Sequence, residues 1–194
     1  MAITQTAMTF GEGLRATADG GVCRSRGYTE IGTHANFQGP KFFIMFRFKL
    51  RSLSSASATM YVGTTTNLGG TTRFYIDVYH NPALDRFEIG LNLNCNGAAY
   101  ISLGYYLVAE DLLEHSVAWM YDQNGTWAYY FDGVLTDSGT SPACDVSGGA
   151  STDRFMVIPS NIPGIEKFDL DEVVFSNSTV NAAAVLTLHQ NGAS

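Results

Sequence analysis

The stretch HSVAWMYDQNGTWAYYFDGVLTDSG, residues 115 to 139, decides how the chain folds. Both tryptophans of the chain lie in it, and Tyr121, Tyr129, Tyr130 and Phe131 stand close by. Asn124-Gly125 separates two runs of aromatic and β-branched residues, and both residues of that pair tolerate the positive φ of a type I′ turn. Asp132-Gly133 repeats the signal, so the stretch predicts a three-stranded antiparallel meander. A two-residue loop at Asn124-Gly125 sets Met120 opposite Tyr129 and Trp119 opposite Tyr130. Alternation then places Ala118, Met120, Trp127, Tyr129 and Phe131 on one face, and Val117, Trp119, Tyr121, Ala128 and Tyr130 on the other. Neither face is polar. Such a sheet is covered on both sides, or covered on one side and binding with the other.

The 194 residues suit a single domain spanning 1–194. Hydrophobic residues make up 45% and charged residues only 15%, against about 25% in an average globular chain. Ser, Thr, Asn and Gly fill the gap. Interface cores are depleted in Lys and Glu, so the shortage points to a homo-oligomer or to docking on a larger assembly. The formal net charge is −7, and the densest basic run is the spaced trio Arg47, Lys49 and Arg51, which excludes the electrostatic footprint of a nucleic-acid binder. The N-terminal MAITQTAMTFGEGLRATADGG lacks a basic stretch followed by an apolar one, and no segment approaches the roughly 18 apolar residues that cross a bilayer. The expectation is a protein made in the cytoplasm, without signal peptide or membrane insertion. Cys23, Cys95 and Cys144 are odd in number and form no C-x-x-C pair, which predicts buried free thiols rather than a disulfide framework or a zinc cage.

Strand signals dominate the rest of the chain. In KFFIMFRFKLR, residues 41 to 51, Phe42, Ile44, Phe46, Phe48 and Leu50 alternate with Phe43, Met45, Arg47 and Lys49, the pattern of a half-buried strand. Further strands are predicted over residues 7–18, 58–65, 72–80, 86–94, 99–106, 116–122, 126–131, 154–158 and 168–176, with Gly, Asn and Pro between them. This spacing belongs to an all-β sandwich or jelly roll. The best helix signal is NAAAVLTLHQNG near the C-terminus, with Asn181 as its cap and Gly192 as its stop.

The order FFIMFRFKL, then HSVAWMYDQNGTWAYYFDGVL, then FDLDEVVFSNSTVNAAAVLTL resembles the concanavalin A-like, laminin-G-type jelly roll domains. The resemblance covers about 130 residues and implies a two-sheet antiparallel jelly roll sandwich with a short C-terminal helix. Arg47 departs from it, standing where an aromatic is common, and the helix lacks the usual acidic residue after its alanines. The resemblance also implies that Trp127, Tyr129 and Phe131 point into the core. Trp119, Tyr121 and Tyr130 are then the candidate glycan- or partner-binding residues on the opposite face, where rings stack on sugars or are covered by loops; covering is the preferred reading.

Catalytic chemistry finds little support. Retaining glycanases of this fold carry two carboxylates about 5.5 Å apart on alternate positions of one strand. Asp169 and Asp171 share that spacing, but Val173 and Phe175 are apolar where a further carboxylate belongs. His34, His80, His115 and His189 have no ligand spacing, and no Ser-His-Asp or Cys-His pattern can be assembled from the sequence. Asp122, Asp132, Asp145 and Asp153 fall in turns where laminin-G-type domains sometimes hold calcium, and are equally ordinary turn formers; no cofactor or other metal is expected. The preferred expectation is a non-enzymatic virion surface protein, such as a bacteriophage capsid decoration or fibre protein, exposed on the particle after assembly in host cytoplasm. The alternative is an extracellular lectin-like module binding cell-surface glycans, and a glycoside hydrolase comes last.

Overall fold

The structure, a computed structural model, describes residues 2–8, 11–17, 29–33, 41–51, 53, 57–65, 72–95, 99–144, 154–159, 168–176 and 179–191. Within these the chain forms β1 (Ala2–Met8), β2 (Gly11–Thr17), β3 (Thr29–Thr33), β4 (Lys41–Leu50), β5 (Ala58–Thr65), β6 (Thr72–Asn81), β7 (Arg86–Cys95), β8 (Ala99–Ala109), β9 (Glu114–Asp122), β10 (Thr126–Phe131), β11 (Val134–Thr140), β12 (Arg154–Pro159), β13 (Phe168–Ser176) and α1 (Ala182–Asn191). Two antiparallel sheets result, ordered β1-β2-β13-β4-β9-β10-β11 and β3-β12-β5-β6-β7-β8. This is the expected jelly roll sandwich with a C-terminal helix. Every predicted strand is present, that over residues 7–18 as β2; β1 and β3 were not anticipated, and Thr29–Thr33 of β3 carries a single large apolar residue, Ile31.

The hairpin of the opening stretch differs from expectation by one residue. Trp119 pairs with Tyr129 and Tyr121 with Trp127, because the turn has three residues, Gln123 to Gly125, rather than two. Asp122 sets it. Its side chain accepts from the Asn124 N–H at 3.0 Å, and its carbonyl accepts from the Gly125 N–H at 2.7 Å. Gly125 alone then turns left-handed (φ 94°), giving a turn-plus-bulge loop in place of type I′. A Cβ at Gly125 would lie 2.0 Å from the Ser141 carbonyl oxygen, so glycine is required there. The second turn is as expected: Asp132 (φ 49°) and Gly133 (φ 74°) both take positive φ between the paired Phe131 and Val134.

A one-residue slip moves a strand's side chains to the other face. Trp119 and Tyr121 therefore lie inside with Trp127, Tyr129 and Phe131, packed on Phe42, Ile44, Phe46, Phe48 and Leu50 of β4 and on Ile76, Val78, Ile89 and Leu91 of the facing sheet. Trp119, Tyr121 and Tyr129 have no exposed surface. The Trp119 ring sits 4.8 Å from Tyr129 and 5.7 Å from Trp127.

β4 is buried on both faces rather than half-buried, because α1 covers the outside of its sheet. Phe43, Met45, Ala118 and Tyr130 pack there with Val185 of the helix, and with Val174 and Leu188. Asn181 caps α1 as expected, its side chain accepting from the Ala184 N–H at 2.8 Å; Gly192 lies outside the described residues. The free-thiol expectation is also corrected. Cys95, at the end of β7, is disulfide-bonded to Cys144, just beyond β11, with Cα atoms 5.0 Å apart. The bond joins the two sheets at one end of the sandwich, a proximity that spacing of 49 residues cannot reveal. Cys23 lies outside the described residues.

Two stability outcomes follow. Trp119→Ala should lower the unfolding free energy by about 3 to 5 kcal/mol and the partly exposed Trp127→Ala by less, which urea midpoints compare directly. Replacing Cys95 and Cys144 together with alanine should cost about 2 to 4 kcal/mol by the same measurement, since the bond restricts the unfolded chain.

Candidate functional site

The burial pattern divides the two outer faces. That of the seven-stranded sheet lies under α1, whereas the six-stranded sheet has an outer face built by clean alternation. On β6, Phe74, Ile76, Val78 and His80 point inward, and Tyr75, Asp77, Tyr79 and Asn81 outward. On β7, Phe87, Ile89, Leu91 and Leu93 point inward, and Arg86, Glu88, Asn92 and Asn94 outward. Thr59 and Tyr61 of β5 continue the outer set, Thr59 opposite Tyr79 and Tyr61 opposite Asp77.

Tyrosines and hydrogen-bonding groups interleave on this face. Tyr61 and Tyr75 meet edge to face, with ring centroids 5.4 Å apart. Tyr75 lies across from Asn92, whose amide donates to Asp77 at 2.8 Å. Gly63, opposite Tyr75, keeps the surface low between them, because a Cβ there would lie 2.8 Å from the Tyr75 Cβ. At one end Glu88 accepts from Arg86 at 2.8 Å and from Asn81 at 2.9 Å, and these bonds hold its carboxyl below the ordinary carboxylate range. Tyr61, Tyr75 and Tyr79 are partly exposed, while Asp77 and Asn92 beneath them are nearly buried. Partly exposed rings beside the fixed Glu88 carboxylate suit a ligand with both C–H faces and hydroxyls.

The expected residues lie elsewhere. Trp119 and Tyr121 are inside the sandwich and Tyr130 is packed under α1 at 4% exposure, so none of the three presents a ring to solvent. The register shift is the cause for Trp119 and Tyr121, and the cover supplied by α1 for Tyr130. Tyr61, Tyr75, Tyr79, Asp77 and Asn92 were not singled out from sequence, although the alternation of TRFYIDVYHN and RFEIGLNLNC carried the signal.

A second polar cluster joins α1 to the sheet. Ser116 Oγ lies 2.9 Å from His189 Nδ1, and the Ser116 N–H donates to Asp132 at 2.8 Å, so a serine, a histidine and an aspartate do converge here. Ser116 is only 2% exposed, and Asp132 engages His115 rather than completing a relay through His189. A nucleophile must reach its substrate, and this hydroxyl has no such access. Buried Arg47 lies beside it, paired with Glu172 at 2.7 Å and Glu114 at 3.4 Å, and donating to the carbonyls of Leu188 and His189 in the last turn of α1. A cation at a helix C-terminus complements the helix dipole. Glu172 reaches Arg47 from a β-bulge, its φ of 48° marking the extra residue between Asp171 and Val174.

The turn aspartates have structural partners too. Asp122 caps its own turn and pairs with Lys41 at 3.0 Å, and Asp132 holds His115 and Ser116; Asp145 and Asp153 lie outside the described residues. Among the described residues no group of three or more His, Cys, Asp or Glu is placed to hold a metal ion. Asp169 is 4% exposed and faces Arg51 at 3.9 Å. No helix among the described residues is long and apolar enough to cross a membrane.

No protein-family model matches the chain, and no curated protein does. Solved structures do. The globular domain of T. cruzi calreticulin has a TM-score of 0.68 at 13% identity, covering 98% of this chain and 84% of that one. The binding domain of botulinum neurotoxin serotype G has a TM-score of 0.67 at 14% identity, covering 97% of this chain and 44% of the other. A structure from work in which botulinum neurotoxin type C needs two ganglioside molecules to enter cells has a TM-score of 0.66 at 11% identity, covering 100% and 45%. The chain thus spans less than half the length of these toxin chains, and the likeness is one of fold.

His115 gives the cluster a pH signature. Burial opposes its protonation, but hydrogen bonds to Asp132 and Asp111 at 2.8 and 2.9 Å outweigh this and hold the imidazole above its ordinary value of 6.5. Burial likewise opposes ionisation of Asp132, and the bonds from His115 and Ser116 hold it below 3.8. The histidine's contribution to stability is complete below pH 6.5 and fades as pH rises through its folded value; the aspartate's is complete above pH 3.8 and fades as pH falls through its own. The stability difference between wild type and His115→Gln, followed by thermal melting, should therefore be largest between about pH 4 and 6.5 and shrink above.

Proposed function

We propose that the chain is a non-enzymatic carbohydrate-binding module whose ligand surface is the outer face of the six-stranded sheet. The observation that carries this reading is the regular outward placement of Tyr61, Tyr75 and Tyr79 among Asp77, Glu88 and Asn92 on three neighbouring strands, on the sheet that α1 leaves open. Tyrosine rings bind the apolar face of a sugar, and the partly exposed Glu88 carboxylate, fixed by Arg86 and Asn81, presents acceptors to hydroxyls, while the buried Asp77–Asn92 pair holds the sheet beneath the rings. The similar structures lend support through what is said of them: one is a toxin's binding domain, and another belongs to work in which toxin entry into cells depends on two ganglioside molecules.

Nothing in those structures speaks for the virion role, which stays a proposal of lower rank. The Cys95–Cys144 disulfide favours an oxidising setting, outside a cell or on a particle surface, over the reducing cytosol. Of the turn aspartates considered for calcium, Asp122 serves its own turn and an ion pair with Lys41, and Asp132 is engaged by His115 and Ser116.

A glycan array probed with the labelled chain tests the proposal, with sialylated, galactosylated and oligomannose members. Selective retention is expected, and Tyr75→Ala and Tyr79→Ala should each weaken the retained glycan about tenfold, or ~1.4 kcal/mol, while melting stays within a few degrees of wild type. Retention of no glycan, or retention that both variants leave unchanged, would reject this surface.

A further inference from the structure

Tyr106 of β8 and Asp137 of β11 join the edge strands of the two sheets, the phenol donating to the exposed carboxylate at 2.7 Å. The ring behind that hydroxyl belongs to the aromatic layer. It stacks on Tyr129 with centroids 4.1 Å apart, and it meets Trp119 edge on at 5.5 Å. Trp119 in turn lies 5.7 Å from the partly exposed Trp127. Both tryptophans thus stand in one line of ring contacts that ends at a surface carboxylate. The polar atoms along this line are treated unequally. Trp119 Nε1 and the Tyr129 hydroxyl are buried, and among the described residues neither has a hydrogen-bond partner. Of the two phenols that touch Trp119, Tyr106 is the one with a base at its hydroxyl. Burial, reinforced by the bond to Asp137, pushes its ionisation well above the ordinary phenol range, so it keeps its proton at neutral pH.

We propose that Trp127, Trp119, Tyr106 and Asp137 form a route by which oxidising equivalents leave the core, with Tyr106 as the residue on which they settle. A one-electron oxidant in solution, an inorganic radical, takes an electron from partly exposed Trp127 and is reduced to its anion. Trp127 recovers that electron from Trp119. Because Trp119 Nε1 has no acceptor, the indole radical cation keeps its proton and its charge stays mobile. Trp119 then takes an electron from Tyr106 across their contact while the Tyr106 O–H bond breaks and its proton moves to Asp137. The products are two restored indoles, a neutral phenoxyl radical and a protonated carboxyl group. A phenol that releases its proton with its electron is a better reductant than an indole; a phenol that must keep its proton is a worse one. Tyr129 has no acceptor, so the radical does not rest there, and the direct contact of Trp119 with Tyr106 makes Tyr129 unnecessary as a relay. A water-soluble one-electron reductant completes the cycle by supplying the electron, and Asp137 returns the proton. The Cys95–Cys144 disulfide favours an oxidising setting, where such oxidants are met. The route does not depend on the ligand proposed above.

Pulse radiolysis in azide solution tests this, because the azidyl radical oxidises indoles in preference to phenols at neutral pH. In the wild type the indole radical absorbance should decay as the phenoxyl absorbance grows, at a first-order rate independent of protein concentration and slower in D2O. Tyr106→Phe, which keeps the ring and its stacking, should lose that growth and leave the indole radical to persist. Asp137→Asn keeps an acceptor oxygen but no base, and should slow the transfer severalfold. Tyr129→Phe, which removes only an unpartnered hydroxyl, should match the wild type. Asp137 is exposed, so its variant decides the matter if Tyr106→Phe fails to fold. A purely structural latch would shift melting in Asp137→Asn and leave these rates alone. Phenoxyl growth in Tyr106→Phe at the wild-type rate, equal rates in wild type and Asp137→Asn, or an indole radical that persists in the wild type would overturn the route.

Discussion

The three-residue turn between Asp122 and Thr126 governs the rest of the architecture. With two residues in that loop, Trp119 and Tyr121 would leave the interior; with three, they join Trp127 and Tyr129 in one aromatic layer between the sheets. The selector is small: an aspartate side chain that takes the Asn124 N–H, and a glycine whose neighbour Ser141 leaves no space for a Cβ. Asn-Gly is compatible with both loops, so the choice rests on Asp122, two residues before it, and on the segment packed against it. Once the large rings are inside, the outer positions of β4, β9 and β10 are left with Phe43, Met45, Ala118 and Tyr130, which still demand cover. Helix α1 supplies it. The open face therefore falls on the other sheet.

The two ends of the sandwich are fastened by different chemistry. At one end a covalent bond links Cys95 to Cys144, beside the turn that sets the register, where the Cys144 N–H also donates to the Gln123 carbonyl at 3.0 Å. At the other end His115 bridges Asp111, on the crossing from β8 to β9, and Asp132, in the β10–β11 turn. The same Asp132 orders the Ser116 backbone, and Ser116 reaches His189 of α1. Helix, turn and crossing thus share one network. Buried polar groups cost free energy when partners are missing, and this network gives Arg47, His115 and Ser116 partners at nearly every polar atom described. A serine beside a histidine in such a setting is a structural fastening, and only its depth distinguishes it from a nucleophile.

What could be read in advance was local. The alternation of residues 41–51, the Asp132-Gly133 turn and the Asn181 cap each rest on a pattern within a dozen residues, and each stands in the structure. The order of strand signals also gave the sandwich. Readings that failed depended on what meets what across the fold. The pairing of Cys95 with Cys144 and the meeting of Ser116 with His189 have no local signature, because both join segments far apart in sequence. The register failed for a subtler reason, since a side chain two positions before the recognised dipeptide decided the loop length. The tyrosine face was legible in principle. TRFYIDVYHN alternates as plainly as residues 41–51 do, but its outward half is aromatic and polar together, and the attention drawn by two tryptophans lay on another sheet.

The sandwich is asymmetric in how it treats its surfaces, and the asymmetry carries functional meaning. The chain covers the outside of the seven-stranded sheet with its own helix and guards the β11 edge with Asp137. Among the described residues it does neither for the six-stranded sheet, whose face holds partly exposed tyrosines and whose β8 edge carries no charge. Large apolar or aromatic surfaces left open in water are retained where something else covers them. A face and an edge of the same sheet left open in this way are adjacent, so whatever occupies the edge fixes the orientation of the face.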